Sequence, residues 1–104
     1  MAESPALTEA TYYILLSLVE PRHGYGIMQR TEEMSRGRVR LAAGTLYGAL
    51  SVLYGKGWIL PLPGSDDSRR KEYVLTQKGR EILTGEVARL KELTENGEKI
   101  LGEV

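Results

Sequence analysis

The chain contains no cysteine and a single histidine among its 104 residues. The lack of cysteine excludes a disulfide-stabilised fold and thiolate metal sites, and one histidine argues against a histidine-rich metal centre. No apolar run reaches the roughly 18 residues that a membrane-spanning helix needs. Residues 1–5 lack the basic start and apolar middle of a signal peptide. We therefore expect a cytoplasmic protein with no membrane partner.

Sequence signatures of catalysis are also missing. There is no nucleophile paired with a base, no glycine-lysine phosphate loop and no metal-ligand spacing. The adjacent carboxylates Asp66 and Asp67 are typical of turn residues rather than of a metal site. We expect no enzyme activity, no catalytic residue, no metal and no cofactor.

The net charge is zero, but its distribution along the chain is uneven. Residues 1–20 carry three glutamates and no lysine or arginine, which gives −3. Residues 21–80 carry 11 basic against 5 acidic side chains, or +6, and residues 81–104 carry 3 against 6, or −3. Because affinity for DNA depends on local positive potential, the basic middle segment is the candidate for contact with phosphates.

Apolar spacing and capping residues predict the order of the elements. Helices are expected from Thr8 to about residue 20, over 24–35, over 43–54 and from residue 77 onward, and strands over 58–62 and 72–75. Thr8 and Thr76 are expected to cap the first and last helices, and Gly37 to end the second in a left-handed conformation.

A short strand is also expected over residues 39–41. Arg36, Arg38 and Arg40 alternate along the chain, so on a strand their side chains would lie on one side. That row could be a second phosphate-binding patch or an exposed edge without a partner, and the sequence leaves both readings open.

The third helix has one apolar stripe and a polar outer face. The stripe consists of Leu46, Ala49, Leu50 and Leu53, and the remaining face presents Thr45, Tyr47, Gly48 and Ser51. A basic turn follows at residues 64–71, between the two predicted strands. This order is the outline of a winged helix-turn-helix, an α+β fold that is mainly α, and it makes DNA binding the leading hypothesis.

Each candidate contact has an alternative reading. Gly44 and Thr45 begin the third helix, where free N–H groups suit a phosphate, but they could equally be a turn residue and a cap. Tyr47 could lie on the sugar–phosphate backbone or cover the edge of the core. Cations after the hairpin tip could contact phosphates, or they could protect an exposed strand edge from aggregation.

The first and last helices carry more apolar surface than a small domain needs, which favours a homodimer. The expected interface residues are Leu7, Tyr12, Leu16, Leu83, Val87, Leu90 and Leu93. Residues 1–76 would form the winged-helix domain and residues 77–104 the dimerisation helix. Since glycine costs a helix about 1 kcal/mol relative to alanine, we expect a kink or an end near Asn96, which precedes Gly97.

Four motifs occur in an order that resembles one known family. They are HGYGI at 23–27, GTLY at 44–47, GWI at 57–59 and RKEYVLT at 70–76. The chain resembles the PadR family of bacterial transcriptional repressors, in particular its short members with a single C-terminal helix. The resemblance covers roughly residues 7–93.

The resemblance implies a winged-helix homodimer that represses a promoter and releases it when a small effector binds. It also implies that a tyrosine at the position of Tyr25 lies near the DNA backbone. The candidate DNA-binding residues are therefore Tyr25, Gly44, Thr45, Tyr47, Ser51, Arg69, Arg70 and Lys71. The two third helices of a dimer would enter successive major grooves, which predicts an inverted-repeat operator.

Two departures from the family pattern matter. The family often places a Ser-Pro pair where this chain has Ala42 and Ala43, so a side-chain cap on the third helix is missing. Short members that bind flat aromatic drugs carry a tryptophan on the last helix, whereas the one tryptophan here is Trp58, in the wing region. A drug site built on tryptophan is therefore not expected.

The aromatic pair Tyr12 and Tyr13 suggests a binding site for a different kind of effector. A cleft between the first and last helices could hold a small aromatic or apolar molecule. The alternative function is a winged-helix protein-interaction module without specific DNA binding.

Overall fold

The computed structural model describes residues 5–63 and 71–103. The described residues form four helices and three short strands. In chain order these are α1 (Glu9–Ser17), β1 (Arg22–His23), α2 (Gly24–Met34), α3 (Ala43–Gly55), β2 (Ile59–Pro61), β3 (Glu72–Leu75) and α4 (Gln77–Gly102). The predicted winged-helix fold is confirmed, with a mainly helical chain and a small antiparallel sheet.

Side chains cap three of the four helices. Thr8 Oγ1 accepts a hydrogen bond from the Thr11 N–H at 3.1 Å, and Thr76 Oγ1 accepts one from Gly79 at 3.0 Å. His23 Nδ1 caps α2 by accepting from the Gly26 N–H at 3.2 Å. Such caps satisfy backbone donors that a helix start leaves free. The predicted caps of α1 and α4 are confirmed.

The core lies where α1, α2, α3 and the sheet meet. Its buried apolar residues are Ile14, Leu15, Leu18, Ile27, Leu46, Leu50, Leu53, Trp58, Ile59 and Leu83. The three leucines of α3 in this list belong to the predicted apolar stripe, and Ala49 is half-buried beside them. Burial of this stripe fixes which face of α3 points outward.

The sheet has the strand order β1-β3-β2, with both pairs antiparallel. Pro61 stands opposite Tyr73 in the β2–β3 register, on an edge strand as proline requires. The two-residue strand β1 pairs Arg22 with Tyr73 and was not predicted. It is too short to carry a sequence pattern of its own.

The predicted strand over residues 39–41 is wrong. The Val39 N–H donates to Ser35 Oγ at 2.9 Å instead of to a neighbouring strand. The turn that precedes it is left-handed at Arg36 (φ 54°) and at Gly37 (φ 80°), which confirms the expected end of α2. The arginines do not form a row either, because Arg38 pairs with Glu9 and Arg40 pairs with Glu32.

The last helix does not end near Asn96, which was one of the two expected outcomes, because α4 continues to Gly102. Its 26 residues span about 39 Å at 1.5 Å per residue. Good helix formers, mainly glutamate, lysine and leucine, surround the Asn96–Gly97 pair and offset its modest cost.

Candidate nucleic-acid interface

The outer face of α3 is open to solvent. Gly44, Thr45, Tyr47, Gly48 and Ser51 are all exposed, whereas Leu46 and Leu50 are buried beneath them. These exposed positions occupy the first nine residues of the helix, the part that enters the major groove in helix-turn-helix proteins. The face of α3 that helical spacing predicted to point away from the core is therefore exposed to solvent in the folded chain.

Among the described residues, no side chain caps the N-terminus of α3. Ala42 occupies the N-cap position and makes no side-chain hydrogen bond, as expected from the absence of a serine there. The first N–H groups of a helix lack intrahelical acceptors and carry the positive end of the helix dipole. An uncapped start at exposed Gly44 and Thr45 is thus suited to a phosphate oxygen.

Tyr47 projects from α3 towards the start of α2 and the sheet. Its side chain is 42% exposed, and its hydroxyl lies close to the backbone of Gly24. Burial, together with the nearby Tyr47, raises the pKa of the Tyr73 phenol on β3 above its usual range. The Tyr73 phenol therefore remains a neutral hydrogen-bonding group throughout the physiological pH range.

A groove of about 340 Å³ separates α3 from the β2–β3 hairpin. Its lining residues are Tyr47, Leu50, Ser51, Tyr54, Pro61, Lys71 and Tyr73. It combines aromatic walls with hydroxyl groups and one lysine. Such a surface can hold a sugar–phosphate segment through ring contacts and a charge-assisted hydrogen bond.

The rest of the predicted DNA-binding set divides into two groups. Tyr25 is 63% exposed on α2, where its hydroxyl accepts a hydrogen bond from Gln29 at 3.4 Å. Arg69 and Arg70 lie outside the described residues, as do Asp66 and Asp67. The structure therefore brings Tyr47, Ser51 and Lys71 to one groove and places Tyr25 on the neighbouring helix.

The residues predicted for a dimer interface line α1 and α4. Leu7, Tyr12 and Leu16 are half-buried against the core, and Leu83 is only 5% exposed. Val87, Leu90 and Leu93 are 46%, 36% and 53% exposed. Leu83 thus anchors α4 within its own chain, and the later three residues form the exposed part of the predicted surface.

A cavity of about 270 Å³ lies between α1 and α4. Its lining residues are Leu7, Glu9, Tyr12, Tyr13, Glu86 and Leu90. The Tyr12 and Tyr13 rings meet edge to face, with their centroids 5.7 Å apart. Glu86 is buried and accepts hydrogen bonds from the Leu7 N–H at 3.0 Å and from Arg89 at 2.6 and 2.8 Å.

Comparison with known proteins assigns the chain to a family. Residues 14–85 match the Transcriptional regulator PadR-like family, and this match covers well over half of the chain. The chain belongs to the PadR-like family. Its members are transcriptional regulators rather than enzymes, and the predicted family is confirmed.

Similar proteins are known from several organisms. H. salinarum RosR superposes with a TM-score of 0.72 at 26% identity, covering 97% of this chain and 96% of that one. A PadR family regulator from Eggerthella lenta gives 0.70 at 25% identity, covering 88% and 80%. An uncharacterized 37.1 kDa protein in a transposon of Streptomyces fradiae is 38% identical over 79 residues. Those residues are 75% of this chain, which spans 22% of the length of that relative.

Sequence reasoning missed the two further tyrosines that line the groove beside α3. Tyr54 follows Tyr47 and Ser51 at spacings of 4 and 3, so helical periodicity could have placed it on the same face. Tyr73 enters the groove through the strand register, for which the sequence has no local signal.

The described part of the chain contains neither a group of metal-ligating side chains nor a helix that could span a membrane. Within residues 5–63 and 71–103, no three histidine, aspartate or glutamate side chains are grouped as metal ligands would be. Over the same ranges, every helix is too short or too polar to cross a membrane.

Proposed function

We propose that this PadR-like chain is a transcriptional repressor that binds an inverted-repeat operator as a homodimer. The observation that carries the proposal is the exposed outer face of α3, whose uncapped start and polar side chains stand above a buried leucine stripe. In this proposal the first half of α3 enters the major groove, where Thr45 and Ser51 reach base edges or phosphates.

The groove beside α3 supports contact with the DNA backbone. Tyr47 and Tyr73 line it together with Lys71, which directly follows Arg69 and Arg70 in the sequence. Lys71 would pair with a phosphate, and Arg69 and Arg70 would extend the same positive surface. Such contacts position the protein on the duplex, and Tyr25 on α2 would contribute another.

The apolar surface of α4 supports assembly into a dimer. Val87, Leu90 and Leu93 are exposed on this helix, and Ile100 and Leu101 follow at 58% and 77% exposure. An isolated amphipathic helix gains most of its stability from a docked partner. A second copy of the chain satisfies this need and sets the separation of two α3 helices at about 34 Å.

The cavity between α1 and α4 supports regulation by a small effector. Its tyrosine pair and leucines suit an aromatic or apolar molecule. A ligand that binds better when the α3 helices are wrongly spaced would shift the dimer away from DNA. Calorimetry with a panel of aromatic compounds tests this part, and the absence of heat for every compound would contradict it.

Fluorescence anisotropy with a labelled duplex tests DNA binding. The probe is a mixed-sequence duplex of about 30 base pairs, which accommodates two major-groove sites one turn apart. We expect binding at low salt, weaker binding by Tyr47→Ala, and a salt-dependence slope reduced by about 1 in Lys71→Ala and in Arg70→Ala. Lys99→Ala, an exposed lysine far along α4, serves as the control that removes equal charge.

The outcomes separate this function from its rival. A chain that ignores the duplex at low salt would instead be a winged-helix protein-interaction module. Unchanged binding by Tyr47→Ala and Lys71→Ala, in a chain that does bind, would contradict the proposed docking through α3 and the groove.

A further inference from the structure

Gly24, the first residue of α2, is packed against the tip of Tyr47. A Cβ atom built on Gly24 would lie 2.6 Å from the Tyr47 hydroxyl oxygen, 3.1 Å from Cζ and 3.4 Å from Cε1. Nonbonded carbon and oxygen atoms do not approach to 2.6 Å without a shift. All three of the nearest atoms belong to one side chain, so a single residue occupies the space that a methyl group would need.

Backbone conformation does not explain the glycine. Gly37 and Gly57 are the glycines with positive φ among the described residues, and Gly24 is not one of them. Gly26, two residues later in the same turn, has its nearest neighbours at 3.7 and 3.8 Å, which is ordinary van der Waals contact. An alanine would therefore fit at Gly26, whereas at Gly24 it would displace the tyrosine.

We propose that Gly24 is a positioning residue for DNA binding: its missing side chain leaves the space in which the Tyr47 ring lies across the start of α2. This inference rests on the proposed function, in which Tyr47 contacts the DNA backbone. Gly24 itself is buried and acts through the tyrosine. The contact joins α2 to α3, and the Tyr47 ring continues from it into the groove that Lys71 and Tyr73 line.

The atom that must yield in Gly24→Ala is the far end of a flexible side chain. To regain a normal contact distance, the Tyr47 hydroxyl has to move by roughly 1 Å. Because Tyr47 is 42% exposed, its ring has room to turn outward without disturbing the core. The variant should fold, since alanine also favours a helix more than glycine does. Its defect should appear only at the nucleic-acid surface.

The test combines DNA binding with a direct observation of the ring. Four variants are compared with the wild type: Gly24→Ala, the matched control Gly26→Ala, Tyr47→Leu, and the double variant Gly24→Ala/Tyr47→Leu. Affinity is measured by anisotropy with the mixed-sequence duplex of about 30 base pairs. The ring signals of the six tyrosines are followed by NMR after labelling with ¹³C-tyrosine.

We expect Gly24→Ala to weaken duplex binding about fivefold, a loss typical of one displaced hydrogen bond or ring contact, and Gly26→Ala to change it less than about twofold. In the Tyr47→Leu background the Gly24→Ala effect should vanish, as a double-mutant cycle requires of a residue acting through another. Gly24→Ala should shift the Tyr47 signal and leave those of Tyr12 and Tyr13 on α1 unchanged.

Three results would overturn the role of Gly24. The first is an unchanged Tyr47 signal in Gly24→Ala. The second is a binding loss that persists in the Tyr47→Leu background, or no loss at all although the wild type binds. The third is a Gly24→Ala chain that unfolds while the double variant folds, because the contact would then serve stability. A wild-type chain that does not bind the duplex overturns the proposed function as well, so the two failures are distinguishable.

Discussion

At the residue scale, Glu86 connects the start of the chain to its last helix. Its carboxylate is 1% exposed, yet it accepts one hydrogen bond from the Leu7 backbone and two from the Arg89 guanidinium. A buried charge is tolerated only when such partners replace water. Glu86 thereby holds the segment before α1 against α4, beside the cavity proposed for an effector.

The pKa of Glu86 predicts how stability depends on pH. Hydrogen bonding from Arg89 and from the Leu7 N–H lowers this pKa below its usual 4.5, although burial opposes the change. A carboxyl group whose pKa is lowered by folding stabilises the fold at every pH above its pKa in the unfolded chain. This stabilisation is lost as the pH falls through the pKa of the folded state. Glu86→Gln should therefore reduce the free energy of unfolding at pH 7 by about 2 kcal/mol, and much less at pH 3.

Urea unfolding at pH 3 to 7, followed by the fluorescence of buried Trp58, measures this difference. The exposed Glu81→Gln on the same helix is the control and should change stability little at any pH. If Glu86→Gln lowered the free energy of unfolding equally at pH 3 and at pH 7, the charge of Glu86 would contribute nothing to stability.

At the element scale, α3 contains glycines that its own fold does not require. Apart from its chain neighbours and the nearby backbone of α3 itself, a Cβ atom on Gly44, Gly48 or Gly55 would meet no described atom within 4 Å. Glycine inside a helix costs up to about 1 kcal/mol relative to alanine. The stability given up at Gly48 is explained if another molecule has to approach the helix backbone there.

Gly48→Ala should therefore separate stability from DNA binding. We expect a higher free energy of unfolding, by up to about 1 kcal/mol, together with weaker duplex binding because the new methyl group holds the helix away from the groove. Gly55→Ala is the matched control, since it lies on the same face about 10 Å further from the helix start. It should leave binding unchanged. If Gly48→Ala bound DNA as tightly as the wild type, the prediction would be wrong, because the α3 backbone could then not lie against the duplex.

The sequence predicted elements with strong local patterns and missed those that depend on pairing. The leucine spacing of α3 and the threonine caps of α1 and α4 gave the correct helix starts, because these signals lie within a few residues of one another, although α1 ends at Ser17 and not near residue 20. Strand β1 forms only because Arg22 pairs with the distant Tyr73. Residues 39–41 do not form a strand, because the Val39 N–H donates its hydrogen bond to Ser35.

The same distinction applies to the candidate site. Helical spacing alone identified the exposed face of α3, including Thr45 and Tyr47. The contact between Gly24 and Tyr47 joins residues of two helices, and the place of Tyr73 in the groove depends on strand register. No local sequence pattern predicts this contact or the position of Tyr73, so both become visible only in the folded chain.

At the scale of the whole molecule, the chain is more extended than a compact domain. Its radius of gyration is 15.4 Å, against about 13 Å expected for a globular chain of this length. The long axis of 58 Å fits the projection of α4, whose residues 91–102 are all exposed. The apolar side chains that this helix exposes form the surface that we propose for a partner.

Leu93→Glu tests whether that partner is a second copy. We expect it to shift the protein from dimer towards monomer in sedimentation and to weaken duplex binding, because two half-sites would no longer be held together. The fold of the single chain should persist, since Leu93 is 53% exposed and outside the core. Ala88→Glu, an exposed position on the opposite side of α4, is the control. A wild-type chain that sediments as a monomer would contradict the dimer.

Thr76 alone separates β3 from α4, and it donates a hydrogen bond to the Gly57 carbonyl at 2.7 Å while capping the helix. The next turn is equally constrained, because a side chain at Gly79 would collide with the Trp58 carbonyl. We therefore expect β3 and α4 to tilt together as one rigid unit. A tilt of roughly 5° at this joint moves the far tip of the 39 Å helix by about 3 Å, so small displacements at either end are transmitted along its full length.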